Sequence, residues 1–269
     1  MVGIAFVILG PASVFRTMIV DRGGCRKQGI RRNSMKKELI IIADDYGIRE
    51  ASSPILRLVR EGVVDRVAVL AHFVSMEDAL ALKETGVALD IHLELIRFLG
   101  RGENEGDSSV KRLMNFIWHL VCGNLAPRLV KEEWHSQIEL FREKFGRLPD
   151  GMNSHEHIHF FPPFFPVFLE VAREYGVEYI RFGSRGILGD VHFHVAKGIL
   201  SFLHGLNRIL WREELRLTSE YLVSVDWIDD MCHFLRHLPE GRTEVVAHPE
   251  RPYEARFLRA LRKAAEKRG

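Results

Sequence analysis

Cysteine is scarce: Cys25, Cys122 and Cys232 are the only three in 269 residues, an odd number with no C-x-x-C spacing. This argues against a structural zinc knuckle and against an extracellular disulfide framework, and it fits a reducing compartment. Long hydrophobic runs are lacking as well. Residues 1–15 carry no charge, but the stretch is shorter than the roughly 20 apolar residues of a spanning helix and is broken by Gly10 and Pro11. Basic residues follow it rather than precede it, the reverse of a secretory signal. The glycine-rich fingerprints G-x-G-x-x-G and G-x-x-x-x-G-K-[ST] do not follow the first strand pattern, which weakens nucleotide-binding readings. No internal repeat or low-complexity tract is evident.

What is present has the composition of a soluble enzyme-sized domain: 38 Lys+Arg against 36 Asp+Glu, 46% hydrophobic and 28% charged. Disorder and collagen are excluded. Residues 1–37 hold eight basic side chains and one acid, leaving 30 basic and 35 acidic residues in a mildly acidic body. A basic groove for nucleic acid is therefore not expected. Met35-Lys-Lys-Glu leading into Leu39-Ile-Ile-Ile reads as a natural protein start. Residues 1–34 are expected to be a dispensable or mis-assigned extension, with a weak membrane anchor as the alternative. Residues 35–269 are expected to form the folded domain. The expected location is cytoplasmic with no stable membrane insertion, and a homodimer is compatible with the sequence.

From Glu38 onward, short β-branched runs alternate with amphipathic stretches, the pattern of βα units. Strands are expected at Leu39–Ala43, Val67–Leu70, Val87–Ile91, a short piece ending near Ser154, Glu178–Phe182, Tyr221–Val225 and Glu244–Ala247. Ser75-Met-Glu-Asp78 reads as a capping box, and Gly62, Gly86, Gly146 and Gly176 stand where helix C-terminal caps belong. Arg101–Ser109 reads as a surface loop before a helix from Val110. Val191–Leu215 reads as a helical excursion, with His192 and His194 in packing roles, and Asp226, Asp229 and Asp230 as the start of a solvated helix. The fold class is α/β: a single-domain, distorted (β/α) barrel with mostly parallel strands, an open doubly wound sheet being the other arrangement of such units.

Acids and histidines follow the strands. Asp44 and Asp45 end the first; side by side after a buried strand they repel one another unless a cation or hydrogen bonds compensate, which points to a metal, helix capping by Asp45 being the bland alternative. His92 follows the third expected strand. His155, His157 and His159 alternate in Asn153-Ser-His-Glu-His-Ile-His159, and in an extended segment they share one face. Pro162-Pro163 then closes that stretch and starts the next helix. His248 follows the last strand, and Pro249 holds it extended. In a (β/α) barrel these strand ends form one face, where active sites lie.

These residues resemble the YdjC-like carbohydrate deacetylase family. Its A-D-D-[FY]-G is matched by Ala43-Asp44-Asp45-Tyr46-Gly47, its G-[LM]-H-[LF] by Asp90-Ile91-His92-Leu93, its histidine cluster by Asn153 through Pro162, and its H-P-G by His248-Pro249-Glu250. The match runs in order from Leu39 to near Tyr253. The resemblance implies one divalent metal ion, magnesium or zinc, and hydrolysis of N-acetyl groups on an amino-sugar substrate. It implies Asp45, His92 and His155 as metal ligands, Asp44 as general base, His248 as general acid, and Arg181 as a residue that orients or stabilises the oxyanion. His157, His159 and Phe160 are expected to bind substrate. Asn153, Asp90, Glu94 and Glu250 depart from the family pattern: Asn153 replaces an Asp beside the histidine cluster, and Glu94 and Glu250 add negative charge at the mouth. The alternatives are a metal-dependent phosphoesterase or amidohydrolase on a similar barrel, and a catalytically silent metal- or sugar-binding protein.

Overall fold

The computed structural model describes residues 37–48, 50–96, 116, 118–120, 122–189, 195–212, 214 and 217–267. The expectations for residues 1–34, for Arg101–Ser109 with the start of the helix after it, and for His192 and His194 lie outside these. Among the described residues, eight parallel strands form one sheet in the order β5-β4-β3-β2-β1-β8-β7-β6. They are β1 Lys37–Tyr46, β2 Arg66–Val69, β3 Ala88–Leu93, β4 Gly151–Ser154, β5 Tyr179–Ile180, β6 Gly186–Ile187, β7 Tyr221–Ser224 and β8 Gly241–Ala247. The helices between them are α1 Ser52–Arg60, α2 Met76–Lys83, α3 Pro127–Phe145, α4 Phe165–Glu174, α5 Val195–Trp211, α6 Met231–His237 and α7 Pro252–Glu266. The two-residue β6 was not expected from the sequence. Among the described residues no helix is long and apolar enough to cross a membrane.

The sheet curls into a distorted half-barrel. A parallel bridge between Tyr179 and Leu217 ties β5 to the segment that enters β7. Strand alternation then separates two environments. Ile41, Val67, Ile91 and Val245 belong to the large apolar core, whereas Ile40, Ile42, Ala68 and Tyr179 form a small separate cluster. Asp90 on β3 and Glu244 on β8 are fully buried, as is Arg181 just beyond β5. The chain reads as amphipathic because helices cover one face of each strand, while a polar column fills the other.

Local signals hold where they have a mechanism. Ser75 caps α2, its hydroxyl accepting from Asp78 N at 3.0 Å, and Asp230 caps α6 by accepting from the backbone of Cys232 and His233. Gly62, Gly86, Gly146 and Gly176 all take positive φ. The histidine cluster is a correction: His155–Phe160 form a 3₁₀ turn rather than an extended run, with Glu156 and His157 in the left-handed region at φ 52° each. Its three imidazoles therefore do not share a face. Pro162-Pro163 does not start the following helix either, because α4 begins at Phe165 with Pro166 in its first turn.

Candidate active site

Consecutive strand residues face opposite ways, so Asp44 and Asp45 can meet only if the strand is distorted. The β1–β2 register shifts between Ala43 and Tyr46, and Asp45 has φ 68°. Such a bulge re-aims side chains. A non-glycine residue in that region stores strain that the surroundings must hold. Gly47 helps the chain leave the strand: it has φ 113°, and a Cβ there would lie 2.7 Å from Val74 N.

Both carboxylates are buried at the C-terminal end of β1. His155 Nδ1 lies 2.7 Å from Asp45 Oδ1, and His92 Nε2 lies 3.3 Å from the same oxygen. The donor atoms of Asp45, His92 and His155 all fall within 4.8 Å of one another. One carboxylate and two imidazoles at this spacing match the donors of a catalytic divalent-metal site. Asn153, opposite His92 in the β3–β4 register, contacts His92 Nδ1 through Oδ1. An oxygen there accepts the Nδ1 proton and leaves the Nε2 lone pair facing Asp45, the orienting role a carboxylate usually fills. The substitution of Asn for Asp at 153 thus keeps the acceptor.

Asp44 is held differently. Arg181 grips it with Nη1 to Oδ2 at 2.7 Å and Nη2 to Oδ1 at 2.8 Å. Burial by itself raises the Asp44 pKa, but the attraction of Arg181 and then His92 outweighs it and brings the group down to about 2. Burial also opposes ionisation of Asp45, and His155 with its hydrogen bond holds that carboxyl well below the usual range. Arg181 Nε donates to Glu244, whose other oxygen accepts from Tyr179 OH at 2.5 Å. Arg66 lies 4.3 Å over the Tyr179 ring and forks onto Asp90. A column of alternating charge thus runs through the sheet's concave side and ends at Asp44. Arg181 is wholly buried and committed to two carboxylates, so it reaches the site through Asp44.

His248 Nε2 sits 4.0 Å from Asp45 Oδ2, the carboxylate oxygen other than the one His92 and His155 approach. Its backbone N donates to Glu254 Oε2 at 2.6 Å, and Glu254 is fully buried at the start of α7. His157 is half-buried; burial and the nearby Arg181 charge lower its pKa to about 3, so it is a neutral imidazole at working pH. Its Nδ1 has no hydrogen-bond partner.

His159 and Phe160 are corrected. Both are fully buried: His159 Nδ1 meets Ser154 Oγ at 2.5 Å and Nε2 meets the carbonyl of Arg181 at 3.1 Å, while Phe160 stacks near Phe182. They brace the turn rather than face a ligand. A cleft of about 740 Å³ lies between the N-terminal parts of α1 and α7, lined by Gly47, Ser53, Arg57, Pro249, Glu250 and Arg256, and none of the clustered Asp and His side chains lines it. A separate cavity of about 580 Å³, with Arg66, Tyr179 and Arg242 on its wall, opens at the opposite end of the strands, away from the histidines.

Sequence reasoning missed Glu244, Glu254 and the Arg66–Asp90 pair. The signal for Glu244 and Asp90 was available, since each is an acid inside an otherwise apolar strand and must be paired to be buried there.

A family model described as YdjC-like protein matches residues 38–268. The chain is similar to the chitooligosaccharide deacetylase of Escherichia fergusonii, with 27% identity over 219 residues, 80% of this chain and 82% of the relative. It is similar in fold to a crystal structure from Enterococcus faecalis V583, a protein assigned to cellobiose-phosphate cleavage, at TM-score 0.58 and 20% identity over 87% of this chain and 95% of that one. This last likeness speaks to fold alone.

Proposed function

The chain belongs to the YdjC-like protein family, and from that premise we propose that it is a metal-dependent carbohydrate deacetylase, hydrolysing the N-acetyl group of an amino-sugar-containing glycan. The observation that carries this reading is the meeting of Asp44, Asp45, His92, His155 and His248 from four separate strand ends within a few ångströms. Its support is the similarity to a chitooligosaccharide deacetylase over most of both chains.

Asp45, His92 and His155 would hold a divalent ion, magnesium or zinc, which when bound polarises the amide carbonyl and acidifies a water molecule. Asp44, ionised and locked by Arg181, accepts the water proton as oxygen attacks the acetyl carbon. His248, 4.0 Å from Asp45 Oδ2, donates a proton to the amide nitrogen as the C–N bond breaks, giving acetate and a free amine. His157, a neutral imidazole beside Asp44, His92 and His248, would hydrogen-bond the sugar.

The test is acetate release from N-acetylated sugars, chitobiose and N-acetylglucosamine conjugates among them, with magnesium, zinc, cobalt or EDTA. Metal-dependent release is expected. Tight sugar binding without acetate release under any metal would replace this reading with a silent binding protein.

A further inference from the structure

A second cluster stands on the same rim. His72 follows β2, Glu94 follows β3 two residues beyond His92, and Glu133 lies on α3; their donor atoms all fall within 4.8 Å of one another. His72 Nδ1 is 2.9 Å from Glu94 Oε1 and 3.6 Å from Glu133 Oε1. These separations match those of the first cluster, where imidazole nitrogens lie 2.7 and 3.3 Å from Asp45 Oδ1. None of the catalytic steps above uses these side chains.

We propose that His72, Glu94 and Glu133 form a second divalent-cation site. Three segments far apart in sequence converge there, and α3 holds all of them in place. Gln137, one turn beyond Glu133 and fully buried, donates to Glu133 Oε1 and to the Glu94 carbonyl, each at 2.8 Å. It also accepts from Glu94 N at 2.9 Å. Lys144, further along α3, donates to the carbonyls of Ala71 at 2.9 Å and Val74 at 2.6 Å, pinning the turn that carries His72. Ligands fixed from behind by such outer hydrogen bonds are the mark of a preorganised metal site. One imidazole with two carboxylates is a harder donor set than the two imidazoles and one carboxylate of the first site, and it suits manganese.

Binding of Mn2+ to the full chain, read as free ion by electron paramagnetic resonance, tests this. Wild type is expected to take up two equivalents. Glu133→Gln, a mild change on a partly exposed helix position, and His72→Ala are each expected to take up one, while Asp45→Asn loses the other. One equivalent in wild type that Asp45→Asn abolishes and Glu133→Gln retains would overturn the second site and leave the first standing. Two equivalents that survive both Glu133→Gln and His72→Ala would overturn it as well.

Discussion

Glu244 is joined to Asp44 through a single shared arginine, Arg181. It has no solvent exposure and binds Arg181 from below while Arg181 grips Asp44 from above. Glu244→Leu removes one partner of a buried pair and is expected to lower unfolding free energy by about 3–5 kcal/mol, measured by urea denaturation. Glu244→Gln keeps the shape and is expected to lower kcat by roughly tenfold while KM and metal affinity stay near wild type, because a loosened Arg181 misplaces the base without touching the sugar. The pairing of Asp44 with Asp45 was legible in the sequence as a metal signal. Their different duties were legible only through the family resemblance, since alternation along a regular strand would have set them on opposite faces, and the bulge that unites them is a backbone fact.

Among the elements, the histidine cluster is the instructive case. His-x-His-x-His fits a strand as well as a turn, and nothing in residue type announces that Glu156 and His157 both take left-handed conformations. His155 ends against Asp45, and His159 locks the turn through Ser154 and the Arg181 carbonyl. His159→Ala is accordingly expected to cost about 3 kcal/mol of stability, from the cavity and the two lost hydrogen bonds, whereas His157→Ala should leave the melting temperature nearly unchanged and raise KM. Thermal unfolding and steady-state kinetics on the pair separate these roles. Capping was easier to read because Ser75 and the terminal glycines carry a local physical requirement.

The link between α3 and β3 depends on pH. Burial opposes ionisation of Asp150, but Arg147 and the Leu89 N–H outweigh it and lower its pKa. A carboxyl whose folded pKa lies below its unfolded value stabilises the fold above the unfolded pKa, and that contribution is lost as pH falls through the folded one. Because solvent screens this partly exposed pair, Asp150→Asn is expected to cost only about 0.5 kcal/mol at pH 7, shrinking toward zero below the carboxylate range, when urea curves are compared at the two pH values.

For the molecule as a whole, the sequence showed the order of strands and helices and the convergence of their C-terminal ends. It did not show the concave side. Arg66, Asp90, Tyr179, Glu244 and Arg181 sit on different strands or just past them, and each looks like an isolated polar intrusion until the sheet curls and brings them into one charged column. The site stands on that column: the fold presents Asp44 already ionised and oriented, and the bulge sets Asp45 apart for a different task. The central claim is this division of labour. The most direct measurement compares bound metal and acetate release in purified Asp44→Asn, Asp45→Asn and His248→Ala. Asp44→Asn and His248→Ala should keep wild-type metal content and lose at least about 100-fold in kcat, while Asp45→Asn should lose the metal itself. Metal lost equally from all three, or activity retained in Asp44→Asn, would contradict it.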